Sequence, residues 1–311
     1  MDEFGIDSIG DSDIERVVTH LLNDKGVHLS VKREDSLHPT ISGNKWRKLK
    51  YNIKHCLAEG IDTIVTYGGA FSNHIYATAA AAKLFGLHSV GIIRGEYDSN
   101  NPTIQFAISQ GMHLEFVSRA AYKLKNTSEE IKAVLDKFPE SKLIPEGGSN
   151  ELAILGLEEL AQEINSTDFD IIMVSAGTGT TAAGIVTYLE ANKQLWVFSS
   201  LKSTYLEEEI RLLTPIDKQP QLRFFSDCHF GGYGKTPSFL IERINSFVEE
   251  SDTPLDPIYN GKLIAGFIDM VQNDRLDCSK KYLWIHTGGL QGIKAYNYMA
   301  DKKSQVKLRT R

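Results

Sequence analysis

The segment SGNKWRKLKY, residues 42–51, concentrates lysine and arginine side chains directly after a turn-prone Ser-Gly-Asn. The apolar residues in and after it are spaced three and four positions apart: Trp46, Leu49, Ile53 and Leu57. This spacing predicts a helix that begins near Asn44, buries the apolar stripe and holds Lys45 and Lys48 together on another face. A solvated helix face is the simpler explanation for the basic cluster.

Lys45 would lie in the first turn of this helix, where the helix dipole favours anions over cations. An anionic ligand at the helix start would compensate for that cost. A lysine that is desolvated beside such a ligand has a lowered pKa and can attack a carbonyl. Lys45 is therefore a candidate Schiff-base lysine, whereas Arg47 and Lys50 lie elsewhere around the helix and are expected to face solvent or to pair locally.

The sequence DIIMVSAGTGTTAAG, residues 170–184, runs from an apolar strand through Gly177 and Gly179 into a helix. Backbone N–H groups, threonine hydroxyls and a helix dipole at such a turn suit a phosphate or another anion. The turn lacks the Gly-Lys-Ser/Thr of a nucleotide P-loop, and its glycine spacing differs from G-x-G-x-x-G, which weakens both nucleotide interpretations. Glycines that only permit close packing of helix on strand are the alternative.

Two further turns lie where strands are expected to end, and ligands of open parallel sheets bind beyond the carboxyl ends of strands. TYGGAFSNH places Ser72 and Asn73 at the start of an alanine-rich helix, where they either cap it or hold a substrate carboxylate. WIHTGGLQG is expected to place Thr287 in the cleft region. His286 is assigned no catalytic role, because a packed histidine is equally consistent with the pattern.

The composition excludes several classes of protein. The 311 residues are 41% hydrophobic and 24% charged, which is enough for a large core in one or two domains. A formal net charge of −6 provides no general basic field, so nucleic acid is not expected as a partner. No apolar run is long enough for a membrane span, and the acidic first residues lack the apolar stretch of a signal peptide, so a cytoplasmic location is expected. The cysteines have no metal-ligand spacing, and no metal is expected: Cys56, Cys228 and Cys278.

Short β-branched runs alternate with helical patterns along almost the whole chain. The predicted strands lie in HLSVKRED, DTIVTYG, HSVGIIRG, HLEFVS, SKLIPEG, DIIMVSAG, QLWVFSSLK, QLRFFSD and KYLWIHTGG. This alternation is typical of an α/β fold in which helices flank parallel-rich sheets. The strands are numerous for one sheet, so the expected architecture has two sheets that meet at a cleft.

In chain order, the blocks KRED, SGNKWRKLKY, GGAFSNH, SAGTGTTAAG, GGYGKT, LDPIYNGK and IHTGG resemble the family of 1-aminocyclopropane-1-carboxylate deaminases and D-cysteine desulfhydrases. The resemblance implies the tryptophan-synthase-β-like fold called fold type II, with pyridoxal 5'-phosphate as cofactor and a homodimer as assembly. It also implies a large cofactor-binding domain of residues 1–47 and 156–311, a small domain of residues 48–155, and an active site in the cleft between them. A Schiff-base lysine and a phosphate turn that fits no nucleotide motif agree with that cofactor.

Position by position, the resemblance assigns cofactor-binding roles. Lys45 is similar to the lysine that holds the cofactor covalently and moves the Cα proton of the substrate. Asn73 is similar to the residue that hydrogen-bonds the cofactor's phenolic oxygen, and Thr287 to the residue that faces its pyridine nitrogen. The phosphate loop corresponds to Gly177, Thr178, Gly179, Thr180 and Thr181, with Lys48 as a helper.

The resemblance also assigns residues around the substrate. The matching positions are Asn44, Ser72, Asn73, His74, Tyr233 and Tyr259. Among these, Ser72 and the two tyrosines match catalytic residues of the family, beside Lys45. Without the resemblance, both tyrosines would be interpreted as ordinary aromatic residues near loops.

Two positions bear on the choice of substrate. Ring-opening deaminases carry glutamate and leucine where this chain has Asn260 and Thr287. A carboxylate beside the pyridine nitrogen stabilises its protonated form and strengthens the electron sink that ring opening demands. Neutral groups favour simple β-elimination, so D-cysteine, cleaved to pyruvate, ammonia and hydrogen sulfide, is the preferred substrate. Phe71 departs from this branch, because desulfhydrases have glutamine there.

Two alternatives stay open. The first is deamination of 1-aminocyclopropane-1-carboxylate to 2-oxobutyrate and ammonia. The second is a catalytically silent amino-acid-binding protein, against which the intact Lys45, Ser72, Tyr233 and Tyr259 argue.

Overall fold

A computed structural model describes residues 5–203 and 205–309 of the chain. The chain divides into two compact units, one formed by Met1–Gly10 and His38–Gly156 and the other by Asp11–Leu37 and Leu157–Arg311. We call them the smaller and the larger unit. Each unit is built around one sheet.

All strands but one lie in segments that the sequence predicts as strands. Their bounds are β1 Ile14–Arg16, β2 His28–Lys32, β3 Thr63–Gly69, β4 His88–Arg94, β5 His113–Val117, β6 Lys142–Ile144, β7 Ile171–Ala176, β8 Gln194–Ser199, β9 Leu222–Phe225 and β10 Lys281–Ile285. The sheet of the larger unit has the order β1-β2-β10-β7-β8-β9, and that of the smaller unit has the order β5-β4-β3-β6. Every pairing is parallel except that of β1 with β2.

Helices follow most of the strands, as the alternating pattern predicts. Their bounds are α1 His20–Asp24, α2 Asn44–Glu59, α3 Asn73–Leu84, α4 Pro102–Ser109, α5 Arg119–Leu124, α6 Glu129–Leu135, α7 Glu151–Leu155, α8 Glu158–Asn165, α9 Thr180–Tyr188, α10 Tyr205–Leu213, α11 Ser238–Ser251, α12 Asn260–Gln272 and α13 Gln291–Lys302. Within the described residues, none of these helices is long and apolar enough to cross a membrane.

Both faces of the larger sheet are buried. Along β7, Ile171 and Met173 join one apolar core, whereas Ile172 and Val174 join a second core on the opposite face. Alternate residues of a strand point to opposite faces, so a strand that is covered on both sides must be apolar throughout. This explains the apolar residues from Ile171 to Val174, after which the buried Ser175 is the first polar residue of β7.

The helical pattern ELAILGLEELAQEIN forms two helices, α7 and α8, instead of one. The break lies at Gly156, where a Cβ atom would be 1.9 Å from the backbone oxygen of Arg47. Because the chain passes so close to α2 there, only glycine fits. The sequence analysis also missed β1, a short edge strand whose side chains are all exposed.

The boundaries of the units differ from the predicted domain boundaries of 1–47, 48–155 and 156–311. Helix α2 is continuous across residue 47, so residues 38–47 lie with the rest of that helix in the smaller unit. The segment before Asp11 is attached to the same helix, because the indole Nε1 of Trp46 donates to the backbone oxygen of Ile9 at 2.9 Å.

Candidate functional site

The predicted lysine pair lies at the start of α2 in the smaller unit. Nζ of Lys48 donates to the backbone oxygen of Gly147 at 3.2 Å, and Nζ of Lys45 lies 3.5 Å from the same oxygen, at the limit of a hydrogen bond. That oxygen belongs to the turn Glu146–Gly148 after β6, in which Gly147 and Gly148 have φ angles of 70° and 75°. The structure therefore brings Lys45 and Lys48 together at the carboxyl end of a parallel strand.

Both lysines are easier to deprotonate than an ordinary lysine. Burial lowers the pKa of Lys45 to about 8, although the nearby Glu146 carboxylate opposes the shift. Burial, and then the charge of Lys45, lower the pKa of Lys48 well below its ordinary value. The Glu146 carboxylate is fixed by Tyr122 Oη at 2.7 Å and by Lys125 Nζ at 2.8 Å. An amine with a pKa of about 8 is a good nucleophile toward an aldehyde near neutral pH.

His74 lies beside this pair, in the first turn of α3. Its Nε2 is 2.8 Å from Thr66 Oγ1, which is also 2.8 Å from the backbone oxygen of Ile144. Since the carbonyl can only accept, the single Thr66 proton goes to Ile144, and Nε2 must carry the imidazole hydrogen. Burial and the charges of Lys45 and Lys48 hold the pKa of His74 well below its ordinary value. His74 is thus neutral, and its buried Nδ1 has no hydrogen-bond partner in the described part of the chain.

Ser72 caps α3, which is one of the two roles that the sequence predicts for it. Its Oγ accepts hydrogen bonds from the backbone N–H groups of His74 at 3.2 Å and Ile75 at 3.3 Å. The glycine before this turn is required, since a Cβ on Gly68 would lie 2.3 Å from Ile75 Cγ1. Asn73 is the first residue of α3, and Asn44 is the first residue of α2. Their assignment to cofactor and substrate remains a prediction.

Arg47 and Lys50 do not face solvent, which was one of the two outcomes expected for them. Arg47 is 1% exposed and Lys50 is 3% exposed. Lys50 does pair locally, because its Nζ lies 3.0 Å from an Asp7 oxygen that also binds Lys54. The helical periodicity of α2 places these residues away from the apolar stripe, but it does not reveal that Asp7 and α7 cover the second face.

In the larger unit, the glycine turn after β7 leads directly into α9. Gly179 has a φ angle of 78°, and a Cβ there would lie 2.6 Å from Ile210 Cγ1. A Cβ on Gly177 would lie 2.9 Å from the ring of Tyr259. The side chains of Thr180 and Thr181 at the helix start are buried. Both glycines are therefore required for a turn that aims backbone N–H groups and the N-terminus of α9 at a ligand.

The two predicted tyrosines lie together in the larger unit. Tyr259 precedes α12, Tyr233 lies in the glycine-rich segment GGYGKT, and their hydroxyl oxygens are 3.4 Å apart. The side chain of Tyr233 is half exposed. Because Tyr259 also contacts the Gly177 position, the structure brings the glycine turn after β7 and both tyrosines into one neighbourhood.

Asn260 and Thr287 are also adjacent. Asn260 Oδ1 accepts from Trp284 Nε1 and from the Thr287 N–H, both at 3.2 Å. Its Nδ2 donates to Asp256 Oδ1 at 2.8 Å and to the Gly288 backbone oxygen at 3.0 Å. Trp284 is a donor only and Gly288 O an acceptor only, so the orientation of the amide is fixed. Asn260 thus uses both ends of its side chain to hold the turn after β10.

Packing accounts for His286, as the sequence analysis expected. It is fully buried, its Nδ1 accepts from the Gly288 N–H at 3.2 Å, and its Nε2 lies 2.8 Å from the Pro254 backbone oxygen. Since that oxygen can only accept, Nε2 carries the hydrogen. Both nitrogens are engaged, so no lone pair is left for chemistry.

Sequence reasoning missed three side chains that shape these sites. Glu146 acts on the charge of Lys45, Asp256 holds the start of α12, and Lys262 is buried behind Tyr233. A signal existed for Glu146, because SKLIPEGG ends a strand with a glycine pair as the other turns do. Asp256 and Lys262 lie in the block LDPIYNGK, from which the motif drew attention to Tyr259 and Asn260 alone.

Each unit contains residues that suit one chemical group, an aldehyde in the smaller unit and a phosphate in the larger one. A lysine with a pKa of about 8 suits the aldehyde. The turn at Gly177 and Gly179, which has no room for a Cβ, suits the phosphate. The described residues contain no group of three or more His, Cys, Asp and Glu side chains that could hold a metal ion.

Comparison with known proteins gives concordant results. The model of the family described as pyridoxal-phosphate dependent enzyme matches residues 16–202. A putative 1-aminocyclopropane-1-carboxylate deaminase of Pyrococcus horikoshii is 30% identical, with 87% of each chain covered. A D-cysteine desulfhydrase of Klebsiella pneumoniae is 28% identical, with 91% of this chain and 92% of the relative covered. The crystal structure of an ACC deaminase homologue superposes with a TM-score of 0.79 at 27% identity, covering 94% of this chain and 93% of the other.

Proposed function

The chain belongs to the family of pyridoxal-phosphate-dependent enzymes, and from this premise we propose that it is a lyase that removes a β-substituent from a small amino acid. The proposed substrate is D-cysteine, and the products are pyruvate, ammonia and hydrogen sulfide. The fold class, the family resemblance and the cofactor that the sequence predicts are confirmed: the fold is fold type II, and the cofactor is pyridoxal 5'-phosphate.

The residues of the smaller unit would supply the covalent attachment and the proton transfer. When bound, pyridoxal phosphate supplies an electron sink for the electron pair that remains after the Cα–H bond breaks. Lys45 would hold the cofactor, and its Nζ would take the Cα proton of the substrate. A pKa of about 8 suits both roles, because an appreciable minority of the amine is neutral near physiological pH, whereas almost none of an ordinary lysine is. The cap at Ser72 orients the start of α3, from which Asn73 and His74 would approach cofactor and substrate.

The residues of the larger unit would supply the phosphate site and the substrate-facing hydroxyls. The turn from Gly177 to Thr181 offers N–H groups at the start of α9, which would bind the phosphate. The hydroxyls of Tyr233 and Tyr259, 3.4 Å apart, can share one proton and are assigned to the substrate.

One observation supports β-elimination over ring opening: Asn260 and Thr287 form a neutral pair at the end of β10. The nearest carboxylate of this network, Asp256, binds the N–H groups of Tyr259 at 2.8 Å and Asn260 at 2.9 Å. If Thr287 faces the pyridine nitrogen, that nitrogen lacks an anionic partner and its protonated form is not stabilised. The resulting weaker sink suffices for loss of a thiolate.

Deamination of 1-aminocyclopropane-1-carboxylate is the second candidate. It is favoured by the relatives from Pyrococcus and Thermotoga that carry this name, of which the one from Thermotoga maritima is 30% identical over 86% of this chain. The two reactions have different products, hydrogen sulfide with pyruvate in one case and 2-oxobutyrate in the other. A direct comparison of substrates therefore separates them.

The test is a panel of D- and L-amino acids together with 1-aminocyclopropane-1-carboxylate, assayed for sulfide and for each 2-oxo acid. We expect D-cysteine to have the highest kcat/KM. Efficient ring opening without activity on D-cysteine would replace the proposal with the second candidate. A cofactor-loaded protein that produces no 2-oxo acid from any member of the panel would support the catalytically silent alternative.

The role of Lys45 has a separate test. Borohydride should fix the cofactor to the peptide that contains Lys45, and Lys45→Ala should abolish turnover. Lys54→Ala, on the outer side of the same helix, is the matched control and should keep both the label and the activity. A label on Lys48, or turnover in the Lys45 variant, would remove Lys45 from the proposed mechanism.

A further inference from the structure

Lys262 is a buried lysine with an unusual set of partners. It lies in the first turn of α12, three residues after Tyr259, and is 1% exposed. No carboxylate in the described part of the chain lies within ion-pair distance of its Nζ. Asp256 is near enough to raise the pKa, but burial dominates and lowers the pKa of Lys262 to about 8. The Asp256 carboxylate instead accepts hydrogen bonds from the N–H groups at the start of α12. A buried ammonium is retained only where its hydrogen bonds compensate for lost hydration.

Those hydrogen bonds go to two loops. Lys262 Nζ donates to the backbone oxygen of Gly232 at 2.8 Å and lies 3.4 Å from that of Ser200. Ser200 follows β8, and its N–H donates at 3.0 Å to the backbone oxygen of Ala176, the residue before the phosphate loop. Lys262 thus connects the segment beside the phosphate loop to the segment that carries Tyr233.

The loop around Tyr233 is held at its start by Phe230, which packs on the core of the larger unit, and Tyr233 contacts the ring of Tyr259. Its glycines nevertheless leave the backbone between them poorly constrained. Gly231, Gly232 and Gly234 all have positive φ angles, of 97°, 115° and 71°. Glycines have many accessible conformations, so ordering this loop costs more conformational entropy than ordering an average one. Its backbone hydrogen bonds are local, from Gly232 N to His229 O at 3.1 Å, from Lys235 N to Gly232 O at 3.0 Å and from Gly231 N to His229 Nδ1 at 2.9 Å. None of these bonds reaches a strand of the sheet.

We propose that Lys262 is a positioning residue that fixes the Gly231–Gly234 loop and thereby places the Tyr233 hydroxyl against that of Tyr259. Helix α12 then determines the positions of both hydroxyls. Tyr259 directly precedes the first residue of the helix in the chain, and the loop of Tyr233 is held by the Lys262 ammonium. The consequence for turnover rests on the proposed role of Tyr233 at the substrate, whereas the consequence for the loop does not.

The first arm of the test measures the loop itself. Hydrogen exchange is followed by mass spectrometry in the full-length holoenzyme of wild type, Lys262→Met and the control Lys235→Met, which alters an exposed lysine of the same segment. We expect exchange in residues 229–236 to rise in Lys262→Met and to stay unchanged in the control, while β7 keeps its protection. Lys262→Gln, which retains an N–H donor, replaces the methionine variant if that variant does not fold. Unchanged exchange in residues 229–236 would overturn the proposal.

The second arm measures coupling to Tyr233 with whichever amino acid the wild type turns over. Lys262→Met should lower kcat roughly 10- to 100-fold, the loss expected when a catalytic side chain is displaced by about 1 Å, with a smaller change in KM. Adding Lys262→Met to Tyr233→Phe should cause no further loss of kcat. The Tyr233→Phe change already removes the hydroxyl that Lys262→Met would misplace. Additive losses would overturn the link to Tyr233. If no amino acid is turned over, the proposed function fails, and the exchange arm still decides the role of Lys262.

Discussion

The charge of Lys45 is set by a balance between burial and a single carboxylate. Burial lowers its pKa and Glu146 raises it, so the value of about 8 depends on how firmly Glu146 is held. Tyr122 and Lys125 hold that carboxylate from two sides. The side chains that adjust the pKa of Lys45 are therefore remote from it in sequence and follow different strands.

This balance predicts the pH dependence of cofactor uptake. Only the neutral amine attacks an aldehyde, so the rate at which apoprotein binds pyridoxal phosphate should rise with pH through about 8 and then level off. Glu146→Gln removes the group that raises the Lys45 pKa, so the midpoint should move to lower pH. Stopped-flow absorbance in the visible measures the uptake rate as a function of pH for the wild type and for Glu146→Gln. Glu140→Gln, which changes an exposed carboxylate, is the control. A midpoint near that of a free lysine, or an upward shift in Glu146→Gln, would contradict the assignment.

A second prediction concerns Asn260, which cannot become glutamate without loss of stability. A glutamate is one methylene longer than Asn260 and would have to place its carboxylate in the same fully buried site, against Asp256 Oδ1 and the Gly288 backbone oxygen, now 2.8 and 3.0 Å from Nδ2. Two buried acceptors and a like charge raise the carboxyl pKa, so stability is lost as pH rises through the normal glutamate range. We expect Asn260→Glu to lower the free energy of unfolding by roughly 3 kcal/mol at pH 8 and much less near pH 4. Urea titrations at the two pH values measure this, and an equal loss at both would refute the explanation.

At the scale of elements, candidate site residues lie at the carboxyl ends of β3, β6, β7 and β10, and each of these strand ends or the turn after it contains glycine. The turn between β7 and α9 has two glycines for two different reasons, a close approach to Tyr259 at Gly177 and a left-handed backbone at Gly179. A side chain at either position would displace the first N–H groups of α9. The proposed phosphate site is therefore expected to be sensitive to a single methyl group.

Gly179→Ala should accordingly weaken pyridoxal phosphate binding by roughly tenfold or more, equivalent to at least about 1.4 kcal/mol. Gly60→Ala is the matched control, because Gly60 has a similar φ angle of 69° and nothing within 4 Å of its Cβ position. It should lose about 1–2 kcal/mol of stability from backbone strain and bind the cofactor as wild type does. Equilibrium dialysis of the apoproteins measures the affinities. Equal loss of affinity in both variants would attribute the effect to general destabilisation.

At the scale of the whole molecule, the chain forms two units with separate sheets and separate cores. Ile92, in the core of the smaller sheet, and Val174, in the core of the larger one, are both fully buried. Replacing either with alanine should cost about 2–5 kcal/mol. That loss should act first on the unit that contains the change.

We expect Ile92→Ala to increase amide exchange in β3 and β4 more than in β7 and β8, and Val174→Ala to do the reverse. Native-state hydrogen exchange detects such sub-global opening. Equal increases in all four strands in both variants would mean that the two units unfold as one.

The sequence predicted most of the strands because their apolar runs are local, and local pattern decides what a strand can bury. It also predicted the start of α2 from the spacing of Trp46 and Leu49. It failed where a neighbour distant in sequence decides the outcome. Arg47 and Lys50 are buried by segments outside α2, which the periodicity of α2 cannot reveal. The break at Gly156 is imposed by the close approach of the Arg47 backbone oxygen.

The same distinction applies to the candidate sites. A cation at a helix start and the spacing of glycines led to the prediction of Lys45 and of the turn after β7, whereas Tyr233 and Tyr259 were predicted from the family resemblance alone. The sequence did not reveal Glu146, Asp256 or Lys262. Glu146 acts through its charge on Lys45, and the other two act through hydrogen bonds to backbone groups. Nothing in the local sequence distinguishes these residues, because their importance depends on the partners that they contact in the folded chain.

An amine that titrates near pH 8 does not distinguish one aldehyde from another. Apoprotein that waits for its cofactor therefore exposes Lys45 to reducing sugars and other small carbonyl compounds, with which a neutral lysine condenses by the same chemistry. Any adduct that rearranges before it hydrolyses would block the nitrogen permanently. If Lys45 holds the cofactor as proposed, saturating cofactor also protects this side chain from chemical ageing.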